Sequence, residues 1–289
     1  MIEFICCDTH DFFPKSYISI HHANPVHLRW SLLKVERNDH LLAVDLATRA
    51  GQLLLDQRNS SSDNDFSTLG DIGDQRSHEF LMDALSRFRP DDAVLSEEGT
   101  AHPVHPDRSD TQRVWIIDPV DGTREYSDPP RTDWAVHVAL AINGEPVVGA
   151  VALPALDLTL STADNLRSRS LDLVPESPRI AISRSRPPSE SELVCQTLGG
   201  EMIEMGSAGA KAMAVVRGEA DIYLHSGGQY EWDNCAPAAV ALAAGLHVSR
   251  IDGSLLSYNN PDPWLPDLLI CHPALSESIL NVLRNDMGV

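Results

Sequence analysis

A short apolar segment that ends in two acidic residues constrains the fold of this chain more than any other stretch. The segment Trp115–Ile117 is too short for a helix and has the apolar run of a strand buried on both faces. Asp118 and Asp121 follow it, and Pro119 and Gly122 are typical of a tight turn. We therefore expect this turn to bring two carboxylates together where a buried strand ends.

The two carboxylates of this turn predict a metal and phosphate site. Carboxylates this close repel each other unless a positive charge lies between them. All the donors are oxygens, which favours a hard divalent cation, and magnesium is bound by carboxylates together with substrate phosphate. The amides of Gly122 and Thr123, at a turn that opens a helix, are expected to hold an anion beside it. The alternative is an ordinary strand and turn, because Asp-Pro starts many turns and Asp caps many helices.

Composition and charge exclude several classes of function. The 289 residues, 43% of them hydrophobic, are enough for one large domain or two closely packed halves. The formal net charge of −20, without a cluster of Lys and Arg, argues against binding to polymeric nucleic acid or to an anionic membrane. A small anionic substrate is still compatible, because a bound metal reverses the local field.

Cysteine usage and hydropathy indicate the compartment. The five cysteines show no C-x-x-C spacing and favour neither a disulfide framework nor a zinc site. No apolar run reaches the roughly 18 residues that a membrane-spanning helix needs, and the N-terminus lacks the pattern of a secretory signal. We expect a reduced, cytoplasmic protein.

The order of helical and extended patterns predicts a layered α/β (α+β) sandwich, because helices and sheets alternate without strict βαβ order. Residues 1–37 have no sustained period and are expected to form a poorly ordered N-terminal extension. An N-terminal half over 38–160 is expected to carry most metal ligands, after two helices in which Asp39 and Asp74 are candidate caps. A C-terminal half over 161–289 is expected to complete the metal site and the substrate pocket.

Two local patterns refine this outline. Asn143-Gly144, between two apolar runs, predicts a hairpin turn. Residues 226–230, which include two glycines, are expected to form a loop after a short strand.

Acidic residues follow two further predicted elements. Glu97 and Glu98 come directly after the short strand 93–96, an arrangement that matches the Asp118 turn. Asp233 lies in Glu-Trp-Asp at the start of an Ala-rich helix, where it could also serve only as a cap.

These three motifs, in this order, resemble those of the inositol monophosphatase-like family of magnesium-dependent, lithium-sensitive phosphomonoesterases. The resemblance covers about residues 40–285 and implies an α/β/α/β/α sandwich of the inositol monophosphatase/fructose-1,6-bisphosphatase type. Within the family, Asp-Gly-Thr-Arg-Glu-Tyr at 121–126 is similar to the CysQ-type 3'(2'),5'-bisphosphate nucleotidases.

The resemblance implies two to three Mg²⁺ ions in each active site. The ligands of the first two ions would be Glu97, Asp118, the Val120 carbonyl, Asp121 and Asp233. Asp74 and Glu97 would hold a third, looser ion. The implied catalytic residues are Thr123, Asp74 and Glu97, with Thr123 hydrogen-bonded to Asp74 and orienting the attacking water.

A small phosphorylated nucleotide is the implied substrate. Its contacts would come from Gly122, Thr123, Arg124, Ser185, Arg186, Ser207 and Lys211. Two positions depart from the pattern of many members, which carry His in place of Arg186 and Arg in place of His225. For Lys211, a solvated helix residue is the alternative.

The implied reaction is hydrolysis of 3'-phosphoadenosine 5'-phosphate to AMP and phosphate, with its sulfated form as a further substrate, in sulfate assimilation. Inositol monophosphatase and fructose-1,6-bisphosphatase activities share the metal site and are the enzymatic alternatives. A non-catalytic sensor of metal or nucleotide is the alternative of another class, although every acidic position expected from the family is present. Family members are often dimers, so the resemblance is also compatible with a homodimer.

Overall fold

The computed structural model describes residues 37–61, 66–99, 105–164, 171 and 174–287. Within these ranges the helices are α1 (Arg37–Ser60), α2 (Phe66–Phe88), α3 (Thr123–Tyr126), α4 (Ser189–Leu198), α5 (Ala208–Val216), α6 (Glu231–Ala243) and α7 (Pro273–Met287). The strands are β1 (Ala93–Ser96), β2 (Arg113–Asp121), β3 (Ala135–Ile142), β4 (Glu145–Leu153), β5 (Leu158–Ser161), β6 (Arg179–Ser183), β7 (Glu201–Met205), β8 (Ile222–Tyr230), β9 (His247–Ser249) and β10 (Trp264–Cys271).

These strands form two five-stranded sheets. The first sheet has the order β1-β2-β3-β4-β5, in which β1 and β2 are parallel and the other neighbours antiparallel. The second has the order β7-β6-β8-β10-β9, in which β6 is parallel to β7 and β8, and β10 is antiparallel to β8 and β9. The boundary between the two halves at residue 160 stays a prediction.

Helices separate and cover the two sheets. An apolar cluster joins α1 and α2 to one face of the first sheet, and α5 and α6 fill the space between the sheets. A third cluster joins α4 and α7 to the outer face of the second sheet. The result is the five-layered α/β/α/β/α sandwich that the resemblance implied.

Small residues allow α6 to lie close to the first sheet. A Cβ on Gly149 of β4 would lie 2.7 Å from the carbonyl oxygen of Ala236 and 2.8 Å from the Cβ of Ala239. Glycine on the strand and alanine on the helix therefore set the approach, which places the start of α6, with Asp233, beside the end of β2.

Asp39 is not the N-cap of α1, contrary to the sequence-based expectation. The helix already begins at Arg37, and the fully buried carboxylate of Asp39 pairs with Arg89 at 2.7 Å and with Arg113 at 3.1 Å. An acidic residue near a helix start was mistaken for a cap because its long-range partners are not visible in the local sequence.

Asp74 is not a cap either, because it lies well inside α2. Gly70 and Gly73, in the stretch expected to precede this helix, lie inside it and permit close packing on α3. A Cβ on Gly70 would lie 2.7 Å from Cγ2 of Thr123, and a Cβ on Gly73 would lie 2.6 Å from the ring of Tyr126. Tertiary contact thus outweighs the low helix propensity of glycine.

The hairpin prediction at Asn143-Gly144 is confirmed, since these residues have φ angles of 52° and 81° between β3 and β4. The loop predicted at 226–230 is wrong. These residues form the second part of β8, in which Ser226, Gln229 and Tyr230 pair with β10 and the register is irregular between Leu265 and Asp267. Gly227 and Gly228 adopt φ angles of 91° and 98° inside the strand, so their loop-like signal reflects a local distortion.

The predicted N-terminal extension lies outside the described residues, except for Arg37, which belongs to α1. In the described part of the chain, no helix combines the length and the apolar character needed to cross a membrane.

Candidate active site

The acidic turn is a distorted end of β2. Its pairing with β3 is irregular between Asp118 and Asp121, so the strand continues past the point at which the sequence had it ending. The amide of Val120 donates to Oδ1 of Asp118 at 3.1 Å. Gly122 then adopts a φ of 87°, which favours glycine, and α3 begins at the next residue.

Three carboxylates meet at this turn. Asp118, Asp121 and Asp233 each offer an oxygen, and these oxygens lie within 4.8 Å of one another. Asp118 is 1% exposed, and burial together with the charge of Glu97 raises its pKa well above the usual value. Burial and the charge of Asp121 raise the pKa of Asp233 to about 6. Asp233 also accepts a hydrogen bond from the amide of Tyr230 at 2.6 Å, so it caps α6 as well as joining the cluster.

Glu97 and Asp74 extend the acidic cluster. Desolvation in the cleft and the charges of Asp233 and Asp74 raise the pKa of Glu97 to about 7, although its side chain is partly open to solvent. Desolvation and the charge of Glu98 raise the pKa of Asp74 to about 7. Oδ1 of Asp74 is buried without a hydrogen-bond partner among the described residues. A set of oxygen donors that repel one another and include an unpaired oxygen fits a hard divalent cation.

Asp121 differs from its neighbours because it already has partners. Oδ2 accepts from the hydroxyl of Ser207 at 2.5 Å and from the amide of Gly209 at 2.6 Å, and Oδ1 accepts from the amide of Ala208 at 3.0 Å. Burial alone would raise its pKa, but the charge of His137 and these hydrogen bonds hold it at about 2. Asp121 is therefore ionised, and its carboxylate is held by the N-terminal end of α5.

His137 is a site residue that the sequence reasoning missed. It is fully buried on β3, directly opposite Asp118 in the strand pairing. Nδ1 donates to the carbonyl oxygen of Trp232 at 3.0 Å, and Nε2 lies 3.1 Å from Oδ2 of Asp121. Both neighbours can only accept, which favours an imidazolium ion. Burial opposes this charge, but the pKa of His137 is raised by Asp121 and by the contact with Trp232. In the sequence, the signal for this role was a single histidine within an otherwise apolar strand pattern.

Thr123 is at the first position of α3, beside the acidic turn. Its hydroxyl donates to the carbonyl oxygen of Val120 at 3.1 Å. Its side chain is also within hydrogen-bonding reach of Asp74, which lowers the pKa of that carboxyl against the larger effect of burial. The hydrogen bond of Thr123 to Asp74 stays a prediction, because the hydroxyl proton is directed to Val120 in this structure.

A cleft of about 350 Å³ opens beside the cluster. All the residues predicted to contact the substrate line it: Gly122, Thr123, Arg124, Ser185, Arg186, Ser207 and Lys211. Glu97, Asp121 and Asp233 line it too, whereas Asp118 and Val120 are buried next to it and Asp74 lies behind it on α2. Their roles toward metal and substrate stay predictions.

Lys211 is buried, so the alternative of a solvated helix residue is wrong. Only 5% of its surface is exposed, and Nζ donates to the carbonyl oxygens of Gly206 at 3.0 Å and Ser207 at 2.5 Å. Nζ also lies 5.4 Å from the ring centre of Tyr223. Burial lowers the pKa of Lys211 to about 8.

Several cleft residues were not selected as site residues from the sequence, among them Glu125, Arg184, Tyr223 and Gln229. Arg184 donates from Nη2 to Oε1 of Glu125 at 2.7 Å. Both stand beside selected residues, in Thr-Arg-Glu and Ser-Arg-Ser-Arg, so the motifs marked the segments but not these side chains.

Comparison with known proteins decides the family. A sequence model of the inositol monophosphatase family matches residues 37–286. The chain belongs to the inositol monophosphatase family. It is 47% identical over 263 residues to the 3'-phosphoadenosine 5'-phosphate phosphatase of Mycobacterium leprae, covering 87% of this chain and 95% of that protein.

More distant members of the family agree. The 3'(2'),5'-bisphosphate nucleotidase CysQ of Escherichia coli is 32% identical over 214 residues, covering 71% of this chain and 85% of that protein. The crystal structure of CysQ from Bacteroides thetaiotaomicron superimposes with a TM-score of 0.69 at 25% identity, covering 82% of this chain and 97% of that one. The family and its CysQ branch, expected from the motifs, are thus confirmed.

Proposed function

We propose that the protein is a magnesium-dependent phosphomonoesterase that hydrolyses 3'-phosphoadenosine 5'-phosphate to AMP and phosphate. The observation that carries the proposal is the 47% identity, over 87% of the chain, to a phosphatase named for this substrate. The acidic cluster beside a cleft lined by cationic side chains supports it, because such a cleft offers separate places for the two phosphates of one nucleotide. In the same proposal, 3'-phosphoadenosine 5'-phosphosulfate is a further substrate.

The metal ligands of the proposal are side chains of the cluster and one carbonyl. Two Mg²⁺ ions would be held by Glu97, Asp118, the Val120 carbonyl, Asp121 and Asp233, and a third by Asp74 with Glu97. The raised pKa values of Asp118, Glu97, Asp74 and Asp233 support this set, because each reflects carboxylates without a compensating cation. Bound Mg²⁺ lowers the pKa of a coordinated water and offsets charge on the attacking and leaving oxygens.

The protein groups position the reactants in this proposal. The hydroxyl of Thr123 turns from the Val120 carbonyl to donate to Asp74, and its oxygen accepts a hydrogen bond from the attacking water and so orients it. The amides of Gly122 and Thr123 donate to the oxygens of the 3'-phosphate. Water attacks phosphorus, the bond to the ribose O3' breaks and the ribose oxygen takes up a proton. No covalent nucleophile is needed, since positioning and electrostatics dominate phosphoryl transfer.

The rest of the nucleotide lies along the far wall of the cleft. Ser185, Arg186, Ser207 and Lys211 contact the sugar and the second phosphate, and Arg124 approaches from α3. Lys211 supports this placement because its buried ammonium, with two of its three donors used, faces the cleft. A cytoplasmic location and a homodimeric state complete the proposal.

A comparison of substrates tests the proposal. Phosphate release is measured from 3'-phosphoadenosine 5'-phosphate, inositol 1-phosphate and fructose 1,6-bisphosphate, with Mg²⁺ and with added Li⁺. We expect strong preference for the nucleotide and inhibition by Li⁺. Preference for the inositol or sugar phosphate would overturn the substrate but retain the chemistry, and no release from any of them would favour a binding protein.

A further inference from the structure

We infer that Arg184, oriented by Glu125, binds the phosphate of the substrate that is not cleaved and so selects bisphosphorylated nucleotides. This inference rests on the proposed function and assigns roles to two cleft residues that the proposed function does not use. It starts from an ion pair on the cleft wall in which Nη2 of Arg184 donates to Oε1 of Glu125 at 2.7 Å.

The Glu125 carboxylate is tightly enclosed. Its side chain is 9% exposed, and a Cβ on Gly206 would lie 2.3 Å from its Cδ. A Cβ on Gly122 would lie 3.4 Å from Oε2. Glu125 therefore touches both the turn expected to hold the reacting phosphate and the segment that leads to Lys211. Glycine at these two positions leaves room for a carboxylate that does not itself reach the acidic cluster.

Arg184 presents the remainder of its guanidinium to the cleft. Its side chain is 41% exposed and lines the cavity. An arginine carries five N–H donors in a rigid fork that matches phosphate, and in the described part of the chain only the Glu125 contact is found for this one. A cation already aligned by a carboxylate binds an anion with a smaller loss of side-chain freedom.

The other cations that line the cleft are placed differently. Nζ of Lys211 donates to two carbonyl oxygens, and Arg124 and Arg186, which are exposed like Arg184, show no side-chain ion pair in the described structure. Among these four cleft cations, Arg184 is the one that the described structure shows paired with a buried carboxylate. We therefore assign the selective phosphate contact to its guanidinium, with Glu125 as a positioning residue.

The test distinguishes binding of the second phosphate from binding of the phosphate that is cleaved. Arg184→Gln is compared with wild type on 3'-phosphoadenosine 5'-phosphate and on adenosine 3'-phosphate, which lacks the second phosphate. Loss of a charge-assisted contact is expected to raise KM for the bisphosphate about 10- to 100-fold, with a change of less than about threefold in kcat or in KM for adenosine 3'-phosphate. AMP carries only the second phosphate, so its affinity, measured by calorimetry with Mg²⁺, is expected to fall by the same factor.

Further variants separate orientation from charge. Arg184→Lys should recover part of the AMP affinity, and Glu125→Gln should weaken AMP binding less than Arg184→Gln. Arg87→Gln, which removes an exposed arginine paired with Asp83 at 2.8 Å, is the matched control.

Unchanged AMP affinity in Arg184→Gln, or an equal loss on both substrates, would overturn the inference while wild-type activity upheld the proposed function. A wild-type protein inactive on the bisphosphate would overturn both.

Discussion

Gly209 lies directly against His137 at the base of the acidic cluster. A Cβ on Gly209 would come within 2.1 Å of Nε2 of His137 and 3.1 Å of Oδ2 of Asp121. The amide of Gly209 donates to that same carboxylate oxygen at 2.6 Å. The N-terminus of α5 can therefore reach Asp121 only because this position has no side chain.

Gly209→Ala is expected to displace α5 from Asp121. Overpacking of this kind costs about 1–3 kcal/mol, so the midpoint of thermal unfolding should fall. Asp121, a proposed Mg²⁺ ligand, would then lose the α5 amides that hold its carboxylate, so the affinity for Mg²⁺ measured by calorimetry should also fall. Gly199→Ala is the control for strain without a clash: its φ of 63° is positive, unlike that of Gly209, but a Cβ there meets no atom within 4 Å. Equal Mg²⁺ affinity in Gly209→Ala and wild type would contradict this interpretation.

The raised pKa of Glu97 predicts a pH-dependent effect on the metal-free protein. Desolvation and neighbouring carboxylates raise this pKa from 4.5 to about 7, so the folded state retains a proton that the unfolded state has lost. The free energy of unfolding therefore falls as pH rises between these two values. Glu97→Gln removes this contribution.

The measurement is urea unfolding in EDTA from pH 5 to pH 8. We expect the stability of Glu97→Gln relative to wild type to increase with pH and to level off above about pH 7, where the folded carboxyl has also ionised. With saturating Mg²⁺ at pH 8 the order should reverse, because binding stabilises the wild type by mass action. A difference between the two proteins that does not change with pH would refute the prediction.

Asp39 is expected to stabilise the fold from a distance. Asp39→Ala removes the fully buried partner of Arg89, while Arg113 keeps Asp92, and should lower the free energy of unfolding by about 3 kcal/mol. Asp45→Ala is the matched control, because its pair with Arg49 is exposed and is worth less than about 1 kcal/mol. Similar losses for both variants in urea unfolding would show that burial of the Asp39 pair has no special weight.

Thr123→Ala is expected to separate chemistry from metal binding. Loss of the hydroxyl should lower kcat about 100-fold, the lower range for groups that assist proton transfer, while Mg²⁺ affinity changes little. Thr123→Ser, which retains the hydroxyl, should recover most of kcat. A loss of Mg²⁺ affinity as large as the loss of kcat would argue against Thr123 as the residue that orients water.

Local sequence was sufficient for the strand that leads into the acidic motif and for the hairpin between β3 and β4. The run before Asp118 and the hairpin signal at Asn143 depend on neighbouring residues, so their structure could be predicted. The role of His137 depends on the pairing of β2 with β3, and that of Gly209 on how α5 meets β3. Such contacts join residues far apart in the chain and leave little local signal.

Two further results show how packing changes the meaning of a residue. The stretch before Asp74, from which the helix was expected to start, belongs to the same continuous helix, because its glycines allow α3 to approach closely. The local sequence around Lys211 is compatible with an ordinary solvated helix residue. However, α5 lies between the two sheets, so the ammonium group of Lys211 is enclosed at the back of the cleft. Burial, which sequence patterns predict poorly for a charged residue, decides its chemistry.

The dependence of 3'-phosphoadenosine 5'-phosphate hydrolysis on Mg²⁺, measured side by side for wild type and Asp118→Asn, tests the proposed metal site most directly. Asp118 lies at the centre of the cluster and is almost fully buried, so the substitution removes a charge with little change of shape. We predict saturable activation by Mg²⁺ in wild type, and in Asp118→Asn a near-complete loss of both activity and Mg²⁺ binding. Full activity in EDTA, or in Asp118→Asn, would contradict the assignment of this cluster as the catalytic metal site.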